Sequence, residues 1–179
     1  MKFESTDIDG VTLITPERIH DERGYFAQSW GQIDFEAHGL RPCMLARNLS
    51  YNRSAATLRG MHFQRAPHAE VKLVSCTAGA IFDVAIDLRP DSETLGKWVA
   101  AELRADTGAM LYIPEGFAHG YLSLEPETTV EYLMSAYYAP QAASGVRWDD
   151  PFFGIRWPMQ PTVMNERDRA WPDFKPVPL

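Results

Sequence analysis

Cysteine is scarce in this 179-residue chain. Cys43 and Cys76 are the only two, with neither CxxC spacing nor the density of a disulfide framework, so both read as reduced thiols in a core. Basic runs are also missing. Seventeen lysines and arginines against 24 acidic residues leave a net charge of −7, a surface that repels a polyanion such as nucleic acid. A small anionic ligand stays compatible with that charge, because a few local arginines outweigh a global field. No apolar run approaches the ~20 residues that cross a bilayer, and the opening Met1–Asp7 stretch is too acidic for a signal peptide. The expectation is a cytoplasmic protein with no membrane or nucleic-acid partner. No repeat at a fixed period and no linker-like stretch divides the chain, so residues 1–179 read as one domain.

What is present is β-like. Short apolar runs, rich in β-branched and aromatic residues and broken by Gly, Pro, Asn or Asp, fall at Val11–Ile14, Leu73–Ser75, Ala80–Leu88, Lys97–Leu103, Ala109–Ile113, Val130–Met134 and Gly154–Trp157. This punctuation predicts an all-β sandwich or barrel rather than βαβ units. Within Ile81–Asp87 both alternating faces carry apolar groups, the mark of a strand buried on two sides, which leaves Asp83 an inward or edge acid in need of partners. A short helix is expected at Gln32–His38, with Asp34 as a weak cap candidate and Gly39 as a stop. From Pro158 onward the chain is proline-rich and is expected to wrap the surface while carrying Arg167 and Asp168.

The polar groups able to do chemistry are scattered over DERGYF (21–26), Asn48 to Ser54, LRGMHFQ (58–64), PEGFAHG (114–120) and Glu131-Tyr132. A barrel gathers such groups, since every second strand residue points inward. In an extended 59–64 segment, period two places Arg59 with Met61 and Phe63, and His62 with Gly60 and Gln64. Bringing Arg59 and His62 together therefore requires a bulge or bend at Gly60. Taken singly, His62 is a structural histidine or a base, and Tyr132 is a core aromatic or a proton donor. Arg23 and Arg59 are surface ion-pair partners or phosphate ligands. Pro114–Gly120 reads as a turn leading into a strand near Tyr121, with His119 on the turn. A metal centre on His62, Glu70 and His119 is a further option, weakened because position 64 is Gln and no HxH pair exists.

As an ordered set, DERGYF (21–26), LRGMHFQ (58–64), Lys72, FDVAIDLR (82–89), IPEGFAHGY (113–121), Glu131-Tyr132 and WDDP (148–151) resemble the dTDP-4-dehydrorhamnose 3,5-epimerase family of cupins. The similarity runs from about Ile14 to Asp168. It implies a cupin double-stranded β-helix, or jelly roll, with short peripheral helices. It also implies a homodimer whose N-terminal region reaches the partner's site, no cofactor and no metal. The substrate implied is a nucleotide-linked 4-keto-6-deoxy sugar, inverted at carbon 3, carbon 5 or both. The matching positions assign His62 as general base, Asp168 as the acid that orients it, Tyr132 as proton donor and Lys72 as the cation near the ketone oxygen. Arg23 and Arg59 fall at pyrophosphate ligands, Phe26 and Tyr138 near the nucleotide base, and Asn48 and His119 near the sugar. Gln28 and Arg167 complete the substrate-binding set.

Three positions depart from the family's usual pattern: Gln28 replaces Glu, Ala46 replaces Gln, and Ala143 replaces an acid. The stretch Asn48–Gly60 is one residue longer. Such changes at the nucleotide or sugar pocket suggest retained epimerase chemistry on an altered substrate. A non-catalytic sugar-nucleotide-binding cupin and a single-centre epimerase are the alternatives.

Overall fold

The computed structural model describes residues 1–175. Along the chain run β1 (Lys2–Ser5), β2 (Thr12–Thr15), β3 (Ile19–Asp21), β4 (Gly24–Phe26), α1 (Gln32–Ala37), β5 (Ala46–Asn52), β6 (Leu58–Gln64) and β7 (Lys72–Ala78). They are followed by β8 (Ala80–Asp87), β9 (Trp98–Arg104), β10 (Met110–Ile113), β11 (Phe117–Ser123), β12 (Thr128–Met134), β13 (Ala143–Gly145) and α2 (Glu166–Arg169). All strand pairs are antiparallel. They form a six-stranded sheet ordered β1-β2-β10-β7-β12-β5, a five-stranded sheet ordered β13-β6-β11-β8-β9, and the separate hairpin β3-β4. The two large sheets face each other as the expected double-stranded β-helix, with the helices at the periphery.

Period two sorts the side chains into layers. Val74 and Cys76 of β7, Leu111 and Ile113 of β10 and Val130 of β12 meet Ile81 and Ala85 of β8 and Phe117 and Tyr121 of β11 between the sheets. The alternate residues Leu73, Met110 and Tyr112 turn outward beneath Phe35 of α1. On the other sheet Val84, Ile86 and Ala118 turn outward against Val146 and Phe153. Strand β8 is thus buried on both faces, as its sequence predicted, and Asp83 lies on the inner one. The inner row is apolar over one part of its length and polar over the rest: Lys72, Asp83, His119 and Tyr132 all belong to it. Desolvating those groups is costly, so their presence there marks the site.

Four local expectations are corrected. Gly154–Trp157 forms no strand, because Asp150 organises turns that end at Gly154 with φ +59°. Its apolar side chains still pack, Ile155 and Trp157 lying against the outer core. Asp34 does not cap α1. The N-cap is Gly31 without a side-chain bond, and Asp34 instead accepts a 2.9 Å bond from the Gln28 amide. His119 is not on a turn, since β11 begins at Phe117 and holds it inside the strand. Cys76 is buried, but Cys43 is exposed on the connection between α1 and β5. Burial pushes the Cys76 thiol up to about 11.

Candidate active site

Between the sheets opens a cavity of about 610 Å³. His62, Arg59 and His119 reach it from the five-stranded sheet, and Lys72, Tyr132 and Asn48 from the six-stranded sheet. Arg59 and His62 share the cavity through a bulge in β6. Arg59 pairs with Tyr121 and His62 with His119, so three steps along β6 match two along β11. Gly60 makes the bulge with φ +132°, and a Cβ there would stand 2.5 Å from the Gly120 Cα. Only glycine at both positions permits that approach.

Asp168 is fully buried although it follows the irregular tail. It belongs to α2, whose N-cap Asn165 accepts from the Asp168 backbone N–H at 2.7 Å. Its carboxylate takes two donors: the Gly60 N–H at 3.1 Å and the His62 ring at Nε2, 2.6 Å away. An ionised carboxylate only accepts, so Nε2 carries the proton and Nδ1 is left as the basic nitrogen. A second pair of this type lies alongside. His119 Nε2 is 2.7 Å from Asp83 Oδ1, both residues being buried.

The remaining groups are set by desolvation. Lys72 donates to the His62 carbonyl oxygen at 3.1 Å and lies 3.1 Å from Glu70. Burial lowers its pKa, and the charges of Glu70 and Asp83 oppose that fall. Tyr132 keeps part of its ring open to the cavity, yet desolvation of its hydroxyl, with Tyr121 beside it, holds its pKa well above 10.0. It therefore persists as a proton-bearing phenol. Arg59 is aimed by a 2.8 Å bond to Asn52 and a 3.0 Å bond to the Tyr51 carbonyl.

A family model for dTDP-4-dehydrorhamnose 3,5-epimerase matches residues 5–176. The chain belongs to this epimerase family. A dTDP-4-dehydrorhamnose 3,5-epimerase from Sinorhizobium fredii is 42% identical over the whole chain and 92% of its own length. A crystal structure of the Bacillus anthracis enzyme with TDP and PPi bound superimposes with a TM-score of 0.94. It is 38% identical, with 97% of this chain and 99% of that one covered. A Legionella pneumophila relative in complex with dTDP-4-keto-L-rhamnose gives a TM-score of 0.88 at 34% identity, covering 93% of this chain and 89% of that one.

Within this epimerase framework the sequence-predicted residues fall into two groups. His62, Asp168, Lys72, Tyr132, Asn48, Arg59, His119, Tyr138 and Arg167 all line one cavity. The Arg167 guanidinium lies 3.5 Å from the Tyr138 hydroxyl and over the Trp171 ring. Arg23, Phe26 and Gln28 are not brought there. Arg23 projects from the β3-β4 hairpin and pairs with its neighbour Asp21 at 2.6 Å, Phe26 is 71% exposed, and Gln28 binds Asp34. Of the departing positions, Ala46 and Ala143 line the cavity wall. His62, Glu70 and His119 do not form a metal set, since each engages a different charged partner. Among the described residues no cluster of three or more His, Cys, Asp or Glu is arranged to hold a metal ion, and no helix is long and apolar enough to cross a membrane.

Sequence reasoning gave no individual role to Asn52, which aims Arg59, and none to Asn165, which caps the helix of Asp168. The second was readable, because Asn165-Glu166-Arg167-Asp168 is an N-cap pattern with its acid at the third helical position. Asn52 had no comparable signal; its partner is set by how β5 and β6 meet.

Proposed function

We propose that this protein is an epimerase of a nucleotide-linked 4-keto-6-deoxy sugar, inverting carbon 3, carbon 5 or both. One observation carries the reading. A carboxylate-oriented histidine and a proton-bearing tyrosine enter one cavity from opposite sheets, with a lysine ammonium nearby. The ketone at carbon 4 acidifies the adjacent C–H bonds. His62 Nδ1 takes one of these protons, and the electron pair moves onto the ketone oxygen as an enolate, whose charge Lys72 stabilises. Tyr132 gives a proton to the opposite face of the same carbon, and the configuration is inverted. Solvent then removes the proton from His62 and reprotonates Tyr132, which readies the site for the second carbon. Asp168 holds the imidazole tautomer and stabilises its cation, the logic of a triad acid.

Arg59 serves the pyrophosphate, Asn48 and His119 the sugar, and Tyr138 with Arg167 the nucleoside end. The homodimer enters at the hairpin β3-β4. It carries Arg23 and Phe26 away from their own cavity and exposes Ile19 at 69% and Phe26 at 71%, which suits a segment that completes the site of a second copy. The reading is of a cytoplasmic enzyme with no metal or other cofactor. The alanines at 46 and 143 favour a second reading of the same chemistry on a different nucleotide sugar, since they offer no hydrogen bond where a family member usually does. The test is incubation with a panel of nucleotide-linked 4-ketosugars in deuterated water, followed by NMR. Deuterium at carbon 3, carbon 5 or both is expected; no exchange with any of them overturns the proposal and leaves a binding cupin.

A further inference from the structure

Asp83 is a buried acid beside the cavity that the proposed chemistry does not use. Asp83 lies on the inner face of β8 with no exposed surface, and across the β8–β11 pair it stands diagonal to His119, whose direct partner is Ala85. Its Oδ1 is 2.7 Å from His119 Nε2, while its Oδ2 has no hydrogen-bond partner among the described residues. Burial raises its pKa, opposed by His119 and by the charge of Lys72. An apolar residue of similar size would fill this place without that penalty. His119 is itself buried on the cavity wall, directly across from His62 in the β6–β11 pair. Its ring meets that of Tyr132 edge-on, with centroids 6.0 Å apart. Packing of this kind limits rotation of the imidazole, but it does not choose which nitrogen bears the proton. Only Asp83 does so.

We propose that Asp83 is a positioning residue. By accepting the Nε2–H of His119 it leaves Nδ1 as an acceptor in the cavity, and a hydroxyl of the ketosugar donates to that nitrogen. The contact registers the sugar ring against His62 and Tyr132, so that the carbon next to the ketone meets base and acid from opposite faces. This role rests on the epimerase reading for its substrate, but the tautomer of His119 does not depend on that reading.

The experiment has two arms. In the first, long-range ¹H–¹⁵N correlation of histidine-labelled protein at alkaline pH reads the His119 tautomer. Nε2–H is expected in the wild type and in Asp83→Asn, whose amide oxygen still accepts, and it is lost in Asp83→Leu. A wild-type His119 protonated at Nδ1 overturns the proposal even if every variant fails to fold. In the second arm, kcat/KM for deuterium exchange is measured. Asp83→Leu is expected to fall on the order of 10²-fold, with most of that recovered in Asp83→Asn and no further fall when Asp83→Leu is added to His119→Ala. An equal fall in the His119→Ala background shows a purely structural role and overturns the proposal. Wild-type protein without exchange on any ketosugar defeats the functional reading alone, since the first arm still reports.

Discussion

His62 and His119 stand opposite each other in the β6–β11 pair, and each brings Nε2 to a buried carboxylate, at 2.6 Å from Asp168 and 2.7 Å from Asp83 respectively. The two pairs are not equivalent. Both oxygens of Asp168 are engaged, one by His62 and one by the Gly60 N–H, whereas one oxygen of Asp83 has no partner among the described residues. The side chain of His62 is 42% exposed and that of His119 only 6%. A base must return its proton to solvent after each turnover, so the greater exposure of His62 supports its proposed role as the base. The locked neighbour is suited to holding the sugar.

Removing the base or its orienting acid tests that assignment. His62→Ala should abolish deuterium incorporation into the ketosugar. In Asp168→Asn the Gly60 N–H holds the amide oxygen, a constraint that Asp83→Asn lacks, so the amide N–H faces Nε2 and favours the wrong tautomer; exchange should fall roughly 10²–10⁴-fold. NMR of the sugar after incubation in deuterated water reads both variants. Wild-type exchange rates in Asp168→Asn would show that the 2.6 Å contact is not functional.

Tyr132 and Lys72 separate proton abstraction from inversion. In Tyr132→Phe the base and the cation are intact, so exchange should persist within about tenfold of wild type while the inverted product falls by ~10²-fold. The pH profile addresses Lys72. Because burial lowers its pKa, the charge proposed to stabilise the enolate is lost on a limb below its ordinary 10.5, and kcat should decline there. A profile that stays flat up to that ordinary value would mean that the ammonium charge is not used.

Much of this was legible in the sequence, and what was not has physical reasons. The two-sided burial of β8 follows from apolar residues on both of its alternating faces, and the bulge at Gly60 follows from the period-two conflict between Arg59 and His62. Those two steps position half of the site. Asp168 was reached only through family resemblance, because it lies more than 100 residues from His62 and no local rule spans that distance. The Gly154–Trp157 segment looked like a strand, yet its residues pack as an irregular layer over the outer face of the five-stranded sheet. Burial without pairing gives the same composition signal as a strand. Cys43 was placed in the core on residue type alone, and an exposed connection overrides that preference.

Asp87 carries a stability prediction away from the cavity. Burial raises its pKa, but hydrogen bonds from Arg89, Ser92 and Thr94 outweigh this and hold the carboxyl at about 2. The folded value lies below the ordinary 3.8, so the unfolded chain binds the proton more tightly. The contribution is therefore full above the ordinary value and is lost as pH falls through about 2, worth roughly 2 kcal/mol. Asp87→Asn should lower stability by about that amount at neutral pH, with the gap from wild type closing between about pH 4 and about pH 2. Urea unfolding over this range measures it, and a gap independent of pH would assign the loss to packing instead of charge.

Gly60 joins the backbone to the chemistry, and its replacement should damage both. The Gly60 N–H donates to Asp168, its φ of +132° disfavours any side chain, and an added Cβ would meet the Gly120 Cα at 2.5 Å. No flexible side chain is available to yield, so β6 must move away from β11. Gly60→Ala should cost roughly 2–5 kcal/mol from strain and overpacking together, and should lower exchange activity more than stability alone explains, because the same shift pulls His62 and Arg59 out of register with Tyr132. Ala118→Gly provides the control, as it lies on the same β11 but faces the outer core. Thermal unfolding and deuterium exchange on the folded fraction distinguish the two effects. A Gly60→Ala protein with wild-type exchange per folded molecule would show that the bulge serves the fold and not the site.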